Sequence, residues 1–125
     1  MRFRTLAVCA IAAAGCLGQA EETVVYRAGE GGYHTYRIPA VVRAADGSLV
    51  VAADARINGP GDLPGNIDVV VRRSTDGGLS WAPRFDLAAP GSTLTINNPV
   101  MVAARSGLVH FLWETGYNRR YHQVS

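Results

Sequence analysis

The sequence contains no lysine; all 12 of its basic residues are arginine. Arginine is the side chain that grips a carboxylate through two parallel hydrogen bonds. Cysteine is almost absent, with only Cys9 and Cys16 near the start. A surplus of charge is missing too, since the formal net charge is only +2. That excludes the strongly basic surface of a nucleic-acid-binding domain. No apolar run reaches the roughly 20 residues that a membrane-spanning helix needs. His34 and His110 stand in no metal-ligand spacing. No metal and no cofactor is called for, and no segment carries a sustained helical period.

What is present begins with a leader. Met1-Arg2-Phe3-Arg4 is a short positive stretch, Leu6 to Leu17 is apolar or small, and Glu21-Glu22 turns acidic. That order reads as a signal peptide over residues 1–20. Gly18-Gln19-Ala20 places small residues where a signal peptidase inspects them, so cleavage is expected after Ala20. The alternative is a lipoprotein processed at Ala14-Gly15-Cys16 and anchored through Cys16. Cleavage after Ala20 removes both cysteines and two arginines. The remainder has ten basic and ten acidic residues and no disulfide. The expected location is outside the cell or in the periplasm.

Residues 21–125 read as short strands punctuated by turns. Candidates are Thr23–Arg27, Tyr36–Arg43, Ser48–Asp54, Ile67–Ser74, Trp81–Asp86, Pro99–Arg105 and Leu108–Glu114. Asp46-Gly47 and Ser106-Gly107 are hairpin turns. An internal repeat is visible when Pro39 is set against Pro99. Ala40–Ala44 then falls on Val100–Ala104. Leu49–Ala52 falls on Leu108–Phe111 with a one-residue deletion, and Val71–Ser74 falls on His122–Ser125. A repeated unit of about four strands is the signature of a propeller blade. The match of Ser125 to Ser74 places the last residue inside a blade, which suggests truncation.

Ser74-Thr75-Asp76-Gly77-Gly78-Leu79-Ser80-Trp81 resembles the Asp-box of sialidases and related propellers, Ser-x-Asp-x-Gly-x-Thr-Trp, with Ser80 in place of threonine. Asp76 can accept backbone N–H bonds across the tip, and Gly77 and Gly78 supply positive φ. Trp81 packs at the hairpin base. Ser74, Asp76, Gly78 and Trp81 are therefore structural residues. In the family this motif lies away from the active site and is not specific for one activity.

Tyr36-Arg37-Ile38-Pro39 is similar to the Arg-Ile-Pro motif of the sialidase (neuraminidase) family, on the first strand of the first blade. The resemblance implies an all-β, six-bladed propeller, of which this chain covers the first blade and part of the second. It makes Arg37 one of three arginines that clamp the sugar carboxylate, buried in an apolar strand, with Pro39 forcing Ile38 to extend. Arg56 follows Arg37 by 19 positions and Asp62 follows Arg56 by six. The resemblance makes Arg56 a substrate-binding neighbour and Asp62 the general acid/base. A carboxylate on the Gly- and Pro-rich stretch Ile57–Asn66 could reach over a substrate and shed water. Asp68 is the competing carboxylate and is expected to brace Arg56 or the loop. Asp54, two residues before Arg56, shares its strand face and could orient it. Asn98, before Pro99, is expected near the sugar's N-acyl group. Trp113, Tyr117 and Arg119 could line the rim or the core, and His110 reads as structural.

The resemblance implies a secreted, retaining exo-α-sialidase acting on sialylated glycans. Such enzymes use a tyrosine nucleophile, activated by a glutamate, rather than two carboxylates. The nucleophile, its glutamate and two clamp arginines are expected on later blades. Tyr117 and Tyr121 come too early. The chain alone is expected to be inactive. The alternative is a non-catalytic Asp-box propeller that binds carbohydrate. A small secreted β-sandwich is the third reading, which the repeat disfavours.

Overall fold

The computed structural model describes residues 21–88, 95–116 and 119–124. The leader, Cys16 and Tyr117 lie outside the described residues, as does the side chain of Arg119. Seven strands follow one another: β1 (Thr35–Arg43), β2 (Leu49–Arg56), β3 (Ile67–Ser74), β4 (Phe85–Ala88), β5 (Ile96–Ala103), β6 (Val109–Thr115) and β7 (Arg119–Val124). They form two antiparallel meanders, β1-β2-β3-β4 and β5-β6-β7. The fold is all-β, and the two sheets are successive blades.

Alternation along the strands decides which face each blade buries. Val50, Ala52, Val69 and Val71 of the first blade meet Ile96, Met101, Val109, Phe111 and Trp113 of the second in one apolar seam. Burial in this seam drives the two sheets together. Trp113 is thus a core residue, 7% exposed, and not part of a rim. The opposite face of the first blade is covered by Tyr33, Ala55 and Val70, with Tyr26, Tyr36 and Ile57 packed on them.

Three sequence expectations change. Thr23–Arg27 forms no strand. It runs across the first blade instead, with Tyr26 stacked on Tyr36 at 4.9 Å between ring centroids and Arg72 over the Tyr26 ring. Those face contacts replace an edge ladder. The strand expected at Trp81–Asp86 begins only at Phe85: Trp81 is held by Thr23 of the N-terminal segment, and Ala82 makes a single bond to Arg73 O of β3. The deletion in the repeat disappears. Ala40 pairs with Ala52 and Arg43 with Leu49, while Val100 pairs with Leu112 and Ala103 with Val109. Every partner is displaced by the same 60 positions, so Leu49 corresponds to Val109 and Ala52 to Leu112. Matching leucine to leucine misled the alignment by one residue, which in a strand is the wrong face.

The turn after β3 is built as its residue types require. Ser74, 1% exposed, donates from Oγ to Asp76 Oδ1 at 2.7 Å and accepts the Gly78 N–H at 2.8 Å. Asp76 also accepts the Ser80 hydroxyl and the Ser80 N–H. Those bonds, the Ser80 hydroxyl first, hold the Asp76 carboxyl well below the usual carboxylate range. Gly77 and Gly78 take φ of 77° and 97°. Trp81 donates its indole N–H to Thr23 Oγ1.

Candidate functional site

The antiparallel registers gather the chemistry-bearing residues at one end of both blades. Arg37 lies opposite Asp54, Arg56 opposite Ile67, and Asn97 opposite Glu114. The Ser74 turn is at the other end of β3, roughly 23 Å away at the rise of a strand. That distance separates the Asp76 turn from the residues gathered here.

Arg56 ends β2 and is 3% exposed. The connection from Ile57 to Asn66 wraps around it and is closed at its base by the bond from Ile57 N–H to Asn66 O, 3.0 Å. Arg56 Nη1 donates to Pro60 O, and Nη2 lies 3.3 Å from Asp62 Oδ2. Arg56 Nε is buried without a hydrogen-bond partner among the described residues. Asp62 is exposed, and its Oδ1 accepts the Leu63 N–H at 2.9 Å. A cleft of about 250 Å³ opens between Arg56, Asn58, Asp62, Pro64 and Asn66. Thr95 donates to Gly65 O and so fastens this loop to the start of the second blade. The loop is therefore anchored at both blades, with a buried cation behind an accessible carboxylate.

Asp54 is fully buried at the seam. Its Oδ1 accepts the backbone N–H of Asn98 at 2.9 Å, a bond that crosses from one blade to the next. Burial pushes its carboxyl up to about 6, against the opposing pull of the Asn98 N–H and of Arg56. Asn98 itself is exposed, and its Nδ2 donates to Glu114 Oε2 at 3.3 Å. It borders a second cleft of about 250 Å³ with Val100, Leu112, Trp113 and Glu114.

Arg37 departs from expectation. It is exposed rather than buried, and it lines a groove with Val24, Tyr26, Tyr36 and Pro39, apart from the Arg56–Asp62 cleft. Ile38 is not extended but has φ of 50°, because an extra residue bulges β1 between Arg37 and Ala40. The bulge sets Arg37 opposite Asp54, on the face of Ala52, yet Arg37 stands on the edge strand of its sheet and stays exposed. Asp68 also departs. It pairs with Ala55 and shares that residue's face, away from Arg56. There it accepts the Tyr33 hydroxyl at 2.7 Å and braces the aromatic cluster. Asp54 does share the face of Arg56, yet its bond goes to Asn98. His34 is exposed beside Thr35.

Two residues went unnoticed in the sequence. Asn97 is 1% exposed, and its Oδ1 has no hydrogen-bond partner among the described residues. Glu114 stands where Asp54 stands in the first blade. The Pro39–Pro99 repeat carried both signals, since it sets Asn97 on Arg37 and Glu114 on Asp54.

No family model matches the chain. It is 40% identical over 68 residues to a sialidase of Micromonospora viridifaciens, a match covering 54% of this chain and 10% of that protein. It is 38% identical over 47 residues to the anhydrosialidase of Macrobdella decora, covering 38% of this chain and 6% of that protein. The chain thus spans a tenth or less of the relatives it matches. Among solved structures, the Hadza microbial sialidase Hz136 superposes with a TM-score of 0.63 at 30% identity, over 73% of this chain and 20% of that one. A leech intramolecular trans-sialidase complexed with 2,7-anhydro-Neu5Ac superposes with a TM-score of 0.66 at 19% identity, over 78% and 18%.

Proposed function

From a chain of the sialidase family in sequence and fold, we propose that the protein carrying it is a retaining exo-α-sialidase. In this reading Asp62 is the acid/base that protonates the leaving oxygen, and Arg37 belongs to the arginine clamp for the sugar carboxylate. Arg56 backs the acid loop and adds positive charge, and Asn98 borders the pocket. The observation that carries the reading is the pairing of a buried guanidinium, Arg56, with the exposed carboxylate of Asp62 on a loop fastened to both blades. A fixed cation behind a solvent-facing acid suits an anionic sugar whose exocyclic bond is to be cleaved. The nucleophilic tyrosine and its glutamate are assigned to later blades, so this chain by itself releases no sugar.

A release assay on a sialylated oligosaccharide tests this. The protein joining this sequence to the later blades should liberate the terminal sugar. Arg37→Ala in that protein should lower kcat/KM by about 10²-fold or more, the scale of losing a charge-assisted contact to the substrate anion. Real turnover by the 125-residue chain alone would overturn the assignment of the nucleophile.

A second reading is a carbohydrate-binding propeller without catalysis. The observation favouring it is that Asp62 is already engaged by Arg56 and by the Leu63 N–H, the bonds of a loop-holding residue. Binding of the sugar without release by the longer protein would select it.

A further inference from the structure

One feature recurs in both blades outside the acid loop. The first strand of each blade carries a one-residue bulge just before or at its proline, between Arg37 and Ala40 and again between Asn97 and Val100. Each bulge holds a residue other than glycine at positive φ, Ile38 at 50° and Asn98 at 54°. For the β-branched Ile38 that conformation is strained and persists only where its surroundings hold it, whereas asparagine enters it more readily. Pro39 and Pro99 have no N–H, so slipping the ladder there forfeits no bond at the proline itself.

We propose that Asp54 is a positioning residue: across the blade seam it clamps the bulge at Asn98 and so sets where the Asn98 side-chain amide stands in the site. The functional meaning of that position rests on the sialidase reading. The clamp itself rests on geometry. Asp54 is 0% exposed, and its Oδ1 lies 2.9 Å from the Asn98 nitrogen. Its other oxygen, Oδ2, is buried without a hydrogen-bond partner among the described residues, and so is Asn97 Oδ1 one residue before the bulge. An ionised carboxylate with one oxygen unpaired in a buried site is costly, and protonation removes the buried charge. The clamp is therefore made by a group that burial holds close to neutrality, its carboxyl being pushed up to about 6.

The charged surroundings are few. Arg37 stands opposite Asp54 on β1, Arg56 lies two residues on along β2, and Asp62 comes from the loop. From β3, Asp54 faces Val69, which does not titrate. β5 offers Asn97 and Asn98 only, and β6 offers Glu114, which reaches Asn98 through its side chain. Arg56 favours the ionised Asp54 and Asp62 opposes it, so the two partly offset and burial decides. Above its midpoint the clamp is a charge-assisted hydrogen bond; below it the acceptor is neutral and the bond is weaker.

The test follows the Asn98 backbone amide by NMR in the ¹⁵N-labelled 125-residue chain, without any sugar. In the unaltered chain this amide should be protected from exchange, and its shift should move with a midpoint near 6. Asp54→Asn keeps an acceptor oxygen and no titrating group, so protection should survive while the pH transition disappears. Asp54→Ala should speed exchange of the Asn98 amide by ~10- to 100-fold, the consequence of stranding a buried donor. A transition that persists in Asp54→Asn, or protection unchanged in Asp54→Ala, overturns the proposal. Should Asp54→Ala fail to fold, the Asp54→Asn titration decides alone. Because no substrate enters, the outcome is independent of whether the longer protein cleaves sialosides.

Discussion

Replacing Asp54 by asparagine should make the fold more stable at neutral pH and leave it unchanged in mild acid. The carboxyl rises from 3.8 in an unfolded chain to about 6 in the seam, mainly through burial. The folded state therefore holds a proton between these values that the unfolded state has released. Stability falls as pH rises through that window, because the ionised form must be kept in a buried site. A change from 3.8 to about 6 is a roughly hundredfold change in proton affinity, worth ~3 kcal/mol. Relaxation of the site around the buried charge reduces this to ~1–2 kcal/mol. Asparagine has nearly the same shape, keeps an oxygen for the Asn98 N–H and carries no charge. Urea unfolding of the 125-residue chain and its Asp54→Asn variant, at pH 4 and pH 7.5, measures the difference. The two should coincide at the lower pH. At the higher one the variant should gain ~1–2 kcal/mol, read as a rise in midpoint at constant slope. Equal stability at both pH values, or a variant weaker at pH 7.5, would refute the argument that burial of this carboxyl dominates.

Two other outcomes follow from the same reasoning. Ser74→Ala should destabilise the chain by ~2–3 kcal/mol, since it strands the Gly78 N–H and removes one anchor of Asp76; Ser74→Thr should recover most of the loss in a thermal melt. Export should remove residues 1–20, so the intact mass of the secreted product should begin at Glu21, whereas a lipid adduct on Cys16 would reveal the lipoprotein instead.

Much of the fold could be read from residue order because propeller blades are local structures. β3 was legible to the residue, since Ile67–Ser74 is rich in β-branched residues and is bounded by a Gly- and Pro-rich loop and a Gly-Gly turn. The Pro39–Pro99 repeat pointed to successive blades, and the comparison with sialidase structures agrees. What escaped were effects of bulges and of faces. Arg37 was expected to be buried, but it stands on an edge strand and is exposed, and the bulge beside it takes Ile38 out of an extended conformation. Asp68 was expected on the side of Arg56, though a shift of one residue along a strand is a change of face, and its partner became Tyr33. Thr23–Arg27 has the composition of a strand, yet Tyr26 packs on the ring of Tyr36 and beneath the Arg72 guanidinium, and the segment joins no ladder. At the site, Arg56 meets Asp62, whereas Asp68 and Asp54 were the carboxylates expected to brace or orient it. The inter-blade bond of Asp54 to Asn98 spans 44 positions and has no local signature. Only the repeat, read in its true register, would have set Asn97 and Glu114 beside the residues already under suspicion.

The central claim, that Asp62 is the acid of a sialidase site, is tested most directly by the dependence of rate on the leaving group. The measurement compares Asp62→Asn with the unaltered form of the protein that joins this sequence to its later blades. One substrate is a natural sialyl-oligosaccharide, whose leaving alcohol needs a proton; the other is an aryl sialoside, whose phenol leaves without one. The account predicts a loss of ~10²- to 10⁴-fold in kcat/KM on the oligosaccharide, the usual worth of general acid catalysis, and a much smaller loss on the aryl sialoside. Full activity of Asp62→Asn on the oligosaccharide, or equal losses on both substrates, would contradict it.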